Sequence, residues 1–367
     1  MKKTTLLFMV ATVLLVGCKK TKPSDAGQLQ LIADLTLSPG SGFEYYGNQV
    51  RNGLQLWEDS LKTVNARIVF EDNTGTTAQT GLIFNKYAGR PDVPIIFTNN
   101  SPLSASVRNF AEKKGVVQMA LVAGDLDFCD GYKWVFRDAI MQDQEGDALA
   151  AVIRAKPEIK RIALCGVNDA YGLDGMAELK RALEGSGVEI QQELKYDKGS
   201  YDFKFIITRL LSGSPDAIYF AGRENYTISF INQLRERNQS IPVFTCDAFE
   251  SPTILQGLGD NAKGIIYASY LNEFDSPDAQ AFLEEYRSRY QDDPGIYAID
   301  AYVCGQYLYR LISKGCRSAS ALADSLSVMT IDSAVKGHLV VNNHSIISHV
   351  AAFYINEAGE KARYLYE

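Results

Sequence analysis

Residues 94–115 read Pro-Ile-Ile-Phe-Thr-Asn-Asn-Ser-Pro-Leu-Ser-Ala-Ser-Val-Arg-Asn-Phe-Ala-Glu-Lys-Lys-Gly, and they hold one complete unit of the fold. The apolar run Pro94–Thr98 has the length and composition of a buried strand. Leu103, Val107 and Phe110 then recur at helical spacing. Ser101 is suited to cap that helix and Pro102 to its first position, while Lys113 and Lys114 complement its C-terminal dipole and Gly115 ends it. A strand thus feeds directly into a helix. The pattern recurs outward from this segment: strand candidates are Leu29–Leu35, Ala66–Phe70, Val116–Leu121, Arg161–Val167, Asp216–Ala221, Pro242–Cys246 and Gly264–Tyr270. Leu54, Trp57 and Leu61 mark a second helix after Tyr46-Gly47. Strands alternating with helices give an α/β chain with parallel sheets.

The N-terminus carries an address. Lys2 and Lys3 precede an apolar stretch, Leu6–Val16, too short to span a bilayer but suited to a cleaved export signal. Leu15-Val16-Gly17-Cys18 resembles the bacterial lipobox, which implies removal of residues 1–17 and acylation of Cys18. More than one acyl chain makes a stable anchor. Residues 18–27 read as a polar, lipidated tether. The expected location is the cell envelope, with the protein held on a membrane surface and facing the periplasm or exterior.

The chain has 367 residues, of which 46% are hydrophobic. Its mature length exceeds what one core usually organises, so two lobes are expected. The net charge of −7 becomes −9 once Lys2 and Lys3 leave, which disfavours nucleic acid and anionic lipid as partners. Cys129, Cys165, Cys246, Cys304 and Cys316 show no C-x-x-C spacing and read mostly as buried small hydrophobes, with room for one disulfide. His338, His344 and His349 do not share a helical face, and neither a nucleophile elbow nor a phosphate loop occurs. No cofactor, metal or catalytic role is therefore expected, and capture without chemistry is the reading.

In open α/β sheets, ligands gather beyond the carboxyl ends of strands, where helix N-termini converge. Ser101 is placed there either as a ligand donor or as a cap alone. Tyr46-Gly47 has the same two readings, Gly47 allowing close approach and Tyr46 either facing a ligand or packing beneath the loop.

The order of segments carries a resemblance. Ser38-Pro39-Gly40, Tyr46-Gly47, Gly53-Leu54, Phe70-Glu71-Asp72-Asn73 and Ser101 come first. Val135-Phe136-Arg137-Asp138, Asp143-Gln144-Glu145-Gly146 and Asn168-Asp169-Ala170-Tyr171-Gly172 follow, then Tyr201-Asp202-Phe203 and Asp216 to Gly222. This succession resembles the type I periplasmic substrate-binding proteins, in the branch that serves branched-chain amino acid and amide ABC transporters. The resemblance implies two Rossmann-like lobes joined by a three-crossover hinge. Lobe I would comprise 28–138 and 250–330, lobe II 139–249 and 331–367.

It also implies a ligand held in the cleft. Tyr46, Ser101 and the backbone of Ala123-Gly124 would face it from the first lobe, and Tyr171, Arg223 or Glu224, and Asp247 from the second. Ser101 would receive a ligand carboxylate, Tyr171 would act as a stacking lid, and an acid would meet an ammonium group. The implied function is capture of a small, amino-acid-like carboxylate for ABC permease subunits. A tethered sensor of the same fold is the alternative, and an enzyme the remotest. Two departures bear on the ligand: Gly124 stands where a hydroxyl residue is common, and Ala248 stands where an acid is expected. Asp247, Glu224 and Asp125 remain candidates for an amino group, while the planar fork of Arg223 equally suits an acidic or otherwise non-zwitterionic ligand.

Overall fold

The computed structural model describes residues 27–41, 43–272 and 274–365, with the side chains at 224 and 225 excepted. The signal segment, Cys18 and the tether up to residue 26 lie outside the described residues. Strand β1 (Leu29–Leu35) leads through α1 (Glu44–Gln55) and α2 (Glu58–Thr63) to β2 (Ala66–Asp72), then α3 (Thr77–Tyr87), β3 (Ile95–Thr98), α4 (Ser101–Lys114), β4 (Val117–Ala120) and β5 (Val135–Asp138). The chain then crosses to α5 (Gln142–Arg154), β6 (Arg161–Val167), α6 (Ala170–Leu183), β7 (Glu189–Tyr196), α7 (Lys204–Ser212), β8 (Ala217–Ala221), α8 (Glu224–Arg237), β9 (Val243–Thr245), α9 (Pro252–Leu258) and β10 (Ile266–Tyr270). It returns through α10 (Pro277–Tyr290), α11 (Ile296–Ser313), α12 (Ala319–Leu326), β11 (Thr330–Ser333), β12 (Gly337–Asn342) and β13 (Ser345–Ile347). It ends with β14 (Val350–Ile355) and β15 (Lys361–Arg363).

These strands form two sheets, ordered β11-β12-β13-β5-β4-β3-β1-β2 and β15-β14-β10-β9-β8-β6-β7. The first five strands of each lobe are parallel and share the order 2-1-3-4-5, so both lobes are doubly wound. The antiparallel pairs sit at one end of each sheet, an addition to the expected all-parallel arrangement. Each lobe has its own apolar core. Among the described residues, no helix is long and apolar enough to cross a membrane.

The sheets differ from the expected lobe boundaries. β10 pairs with β9 on one side and β14 on the other, so the second lobe runs on to Tyr270 rather than ending at 249. β11, β12 and β13 extend the first sheet beside β5, because Ile331, Leu339 and Ile346 bury their side chains in the first lobe's core. Only β14 and β15 return to the second sheet. The helix expected across Leu54, Trp57 and Leu61 breaks between Gln55 and Glu58, and Tyr46-Gly47 lies inside α1 rather than before it. No disulfide forms among the described cysteines: all five are free and buried.

Gly47 shows why α1 can start so near the sheet edge. A Cβ there would lie 1.9 Å from the Thr36 carbonyl oxygen, a distance no side chain tolerates. Gly172 repeats the device at the start of α6, where a Cβ would lie 2.2 Å from the Val167 carbonyl oxygen. Helix and strand thus approach closely at the same place in both lobes.

The chain passes between lobes at three places: after β5, after β10 and between β13 and β14. Lys336, fully buried, sits beside the first two. Its ammonium lies 2.7 Å from Asp138 at the end of β5 and 2.6 Å from Asp300 on α11. The Tyr270 hydroxyl, at the end of β10, donates to Asp300 at 2.9 Å. Removing the cation would strand two carboxylates in a dry interior, a cost of about 3–5 kcal/mol for such a buried pair. Lys336→Met is expected to lose stability of that order in denaturant unfolding, and adding Asp138→Asn and Asp300→Asn should restore part of it. An unchanged unfolding midpoint for the single variant would contradict this role.

Candidate functional site

The repeated 2-1-3-4-5 order places a topological switch between β1 and β3 in one lobe and between β6 and β8 in the other. Loops diverge at such points and leave a crevice. Here the two crevices face each other across a cleft of about 450 Å³, counted to its open mouth. Phe43, Tyr46, Asn100, Ser101 and the 122–124 loop line it from the first lobe, with Tyr297 at the start of α11. Glu145, Tyr171, Arg223, Asp247 and Ala248 line it from the second.

Seven of the residues expected at the cleft therefore border it: Tyr46, Ser101, Ala123, Gly124, Tyr171, Arg223 and Asp247. Glu224 begins α8, and its side chain lies outside the described residues. Ser101 differs from expectation in one respect, for it does not cap α4. Asn100 does, its Oδ1 accepting from the Leu103 N–H at 3.1 Å, and Ser101 becomes the first helical residue. Asn100 takes a φ of +58°, an unusual conformation for a non-glycine residue and one held here at the cleft wall. The Ser101 hydroxyl, relieved of capping, lies near the Asp125 carboxyl. Burial raises the Asp125 carboxyl above the usual range, with Ser101 and Arg137 acting the other way.

The second lobe's wall is a chain of aromatic, acidic and basic groups. Arg223 donates to Asp169 at 2.9 Å and lies over the Tyr171 ring, 4.2 Å from its centroid. Burial works against its charge, yet Asp169 with Tyr171 and Tyr46 together outweigh it and keep the guanidinium above its usual range. Tyr171 donates to Asp247 Oδ1 at 3.0 Å. Tyr297 donates to Asp247 Oδ2 at 3.3 Å, from the opposite lobe. Asp247 is therefore reached from both sides of the cleft. Its own N–H donates to Glu145 Oε2 at 3.2 Å. Burial drives the Glu145 carboxyl well above the ordinary carboxylate range, and Asp247 adds to the effect.

Glu145, Cys246 and Asp247 bring three possible metal ligands within 4.8 Å of one another, the one such group among the described residues. The arrangement suits hydrogen bonding better than a metal. Burial pushes the Cys246 thiol up to about 12, so it stays protonated and donates to the Gly222 carbonyl at 3.3 Å. Both Asp247 oxygens already accept tyrosine hydroxyls. The histidines lie elsewhere: His344 stacks on Phe136 with centroids 4.3 Å apart, and His338 pairs with Asp332.

The sequence matches the periplasmic binding protein family over residues 32–360. The chain belongs to that family. Leu/Ile/Val-binding protein homolog 3 of Brucella melitensis is 22% identical over 88% of this chain and 87% of its own length. The leucine-, isoleucine-, valine-, threonine-, and alanine-binding protein of Pseudomonas aeruginosa is 22% identical over 55% of this chain and spans 54% of its own. Among solved structures, the Streptococcus pneumoniae branched-chain amino acid transporter substrate-binding protein in complex with isoleucine superposes with a TM-score of 0.81 at 20% identity. That match covers 92% of this chain and 100% of the other. An R. palustris solute-binding protein in complex with benzoate gives 0.81 at 17% identity, covering 92% and 95%. At these identities the structures share the fold of this periplasmic binding protein.

Two features of the binding-protein cleft were not singled out from sequence. Glu145 follows Met141 into α5 and shares a face with Leu149 and Val152, so its signal was an acid on an apolar helical stripe. Tyr297 gave no local signal, since α11 is apolar nearly all round. Arg137 is also more than a family marker. Its guanidinium donates to the carbonyls of Ala123, Asp125 and Leu126, and its Nε donates to Ser345 at 2.9 Å. It fixes the loop that presents Ala123 and Gly124. Arg137→Leu is expected to raise amide hydrogen exchange across residues 122–127 by about tenfold or more, the scale of one lost charged hydrogen bond. Unchanged exchange there would show that the loop holds itself.

Proposed function

We propose that this chain is the capture component of an ABC-type importer, held at a membrane by acylated Cys18, and that it takes a small ligand bearing an ammonium and a carboxylate group. One observation supports this above the others: the cleft is walled by both lobes, and Asp247 of one lobe accepts the Tyr297 hydroxyl of the other. A ligand seated there contacts both walls only when the lobes are together, so binding favours closure. The ammonium belongs at Asp247, beside Tyr171. The carboxylate belongs at Ser101 and the backbone of Ala123-Gly124, at the start of α4. Relatives whose names include leucine, isoleucine and valine agree with a ligand of this class.

Native mass spectrometry of gently purified protein should show one small molecule retained per chain. Ser101→Ala and Tyr171→Ala should each weaken that ligand's affinity by about tenfold, the scale of one hydrogen bond to a charged group. Equal affinity in both variants would remove these residues from the site. A strain lacking the protein should lose uptake of the same compound, and unchanged import would point to sensing instead of transport. Cys18→Ser should shift the protein from the membrane to the soluble fraction.

A further inference from the structure

Glu145 has no role in the reading just given, yet it is buried at the wall of the same cleft, 3.2 Å from the Asp247 N–H. The two carboxyl groups have oxygens within 4.8 Å of each other, and two buried acids that close strongly disfavour being ionised together unless a cation joins them. The groups around the pair are Tyr171 from α6, Tyr219 from β8, Cys246 from the end of β9 and Tyr297 from α11, all neutral at physiological pH because burial raises each of them. Arg223 is the nearby positive charge lining the cleft, and its Nη1 is held by Asp169, which Lys198 also reaches at 3.2 Å. Burial raises the proton affinity of both acids, and both line the cleft.

We propose that Glu145 and Asp247 form a proton-sharing dyad that selects ligands carrying an ammonium group and releases its proton to solvent when that group arrives. The inference rests on the cleft being the capture site, and it adds a second acid and a proton to what Asp247 alone would do. The ligand's cation replaces the shared proton as the partner of both carboxylates. No bond other than O–H breaks, and the proton leaves to water, so total charge is conserved. Burial raises the dyad's proton affinity in the free protein, and a bound cation lowers it again. Since proton release accompanies binding, affinity must rise with pH between the dyad's bound-state and free-state titrations, by up to about tenfold per pH unit. A carboxylate lacking the amine has no such dependence and meets the dyad's remaining negative charge.

The dyad therefore separates the two ligand classes seen among the solved structures of this fold, isoleucine and benzoate. Calorimetric titration from about pH 5 to about pH 8 with three probes tests it: L-isoleucine, its amine-free counterpart 3-methylpentanoate, and benzoate. L-Isoleucine is expected to bind more tightly as pH rises, and Glu145→Gln, which keeps the side chain's size, should flatten that rise. Infrared difference spectra of ligand-free wild type against Glu145→Gln, both checked for an unchanged melting profile, should show a protonated carboxyl stretch present only in the wild type. Absence of that band overturns the proposal without any ligand. Binding of 3-methylpentanoate or benzoate in preference to L-isoleucine also overturns it, while leaving capture by the cleft intact. A pH profile for L-isoleucine that is identical in wild type and Glu145→Gln would assign the selection to Asp247 alone, and the dyad would fall.

Discussion

One buried ammonium ties the hinge to the cleft. Lys336 reaches Asp138, where the chain first leaves the first lobe, and Asp300, whose other oxygen receives Tyr270 from the second crossing. Asp300 and Tyr297 stand three residues apart on α11, hence on neighbouring positions of one helical face. Tyr297 in turn donates to Asp247 across the cleft. One turn of α11 therefore links the polar contacts at the interlobe connections to the one that reaches Asp247 at the cleft. Loosening the hinge would displace the hydroxyl that bridges the lobes. Such an ionic cluster contributes specificity of arrangement more than net stability, because each of its charges has been taken out of water.

The remaining architecture follows from doubling one topology. Two 2-1-3-4-5 sheets each open a crevice at their switch point, and neither crevice alone encloses a ligand. Placed face to face they form a pocket whose two halves carry different chemistry. The first lobe offers hydroxyl and backbone groups at the start of α4, fixed by Asn100 and by the Arg137 clamp on residues 123–126. The second offers charge: the Arg223–Asp169 pair, with Glu145 and Asp247 beside it. Gly47 and Gly172 make the arrangement feasible by letting a helix start against the last residues of its strand.

Local sequence made the centre of each sheet legible, and long-range pairing made the edges illegible. β1 and β6 occupy the spans their apolar runs indicate, because strands buried on both faces leave a mostly hydrophobic record, interrupted in β1 by Gln30 and Asp34. β7 is an edge strand whose Glu189, Glu193 and Lys195 are exposed and whose Gln191 and Gln192 are half-buried, and nothing in that composition marks a strand. β11 to β13 were placed in the wrong lobe because only pairing with β5 decides their side, and pairing over so many residues leaves no local trace. In the site, Ser101 was legible as a residue at a helix start, and Tyr171 only through the family resemblance. Asn100 took the cap that Ser101 seemed suited to, since both can accept the same N–H and only the backbone turn at φ +58° selects between them. Glu145 escaped notice because an acid on an apolar stripe has meaning only once Asp247 is beside it.

The five described cysteines remain single thiols, each enclosed by packed side chains. Burial lifts the Cys129 thiol to about 11 and the Cys246 thiol to about 12, so neither presents the thiolate that oxidation and exchange require. The described part of the fold therefore forms without a disulfide. Unfolding alone would expose the thiols, and an oxidising envelope could then cross-link them wrongly. For these five thiols, the packing that builds the two cores is also the barrier to oxidation.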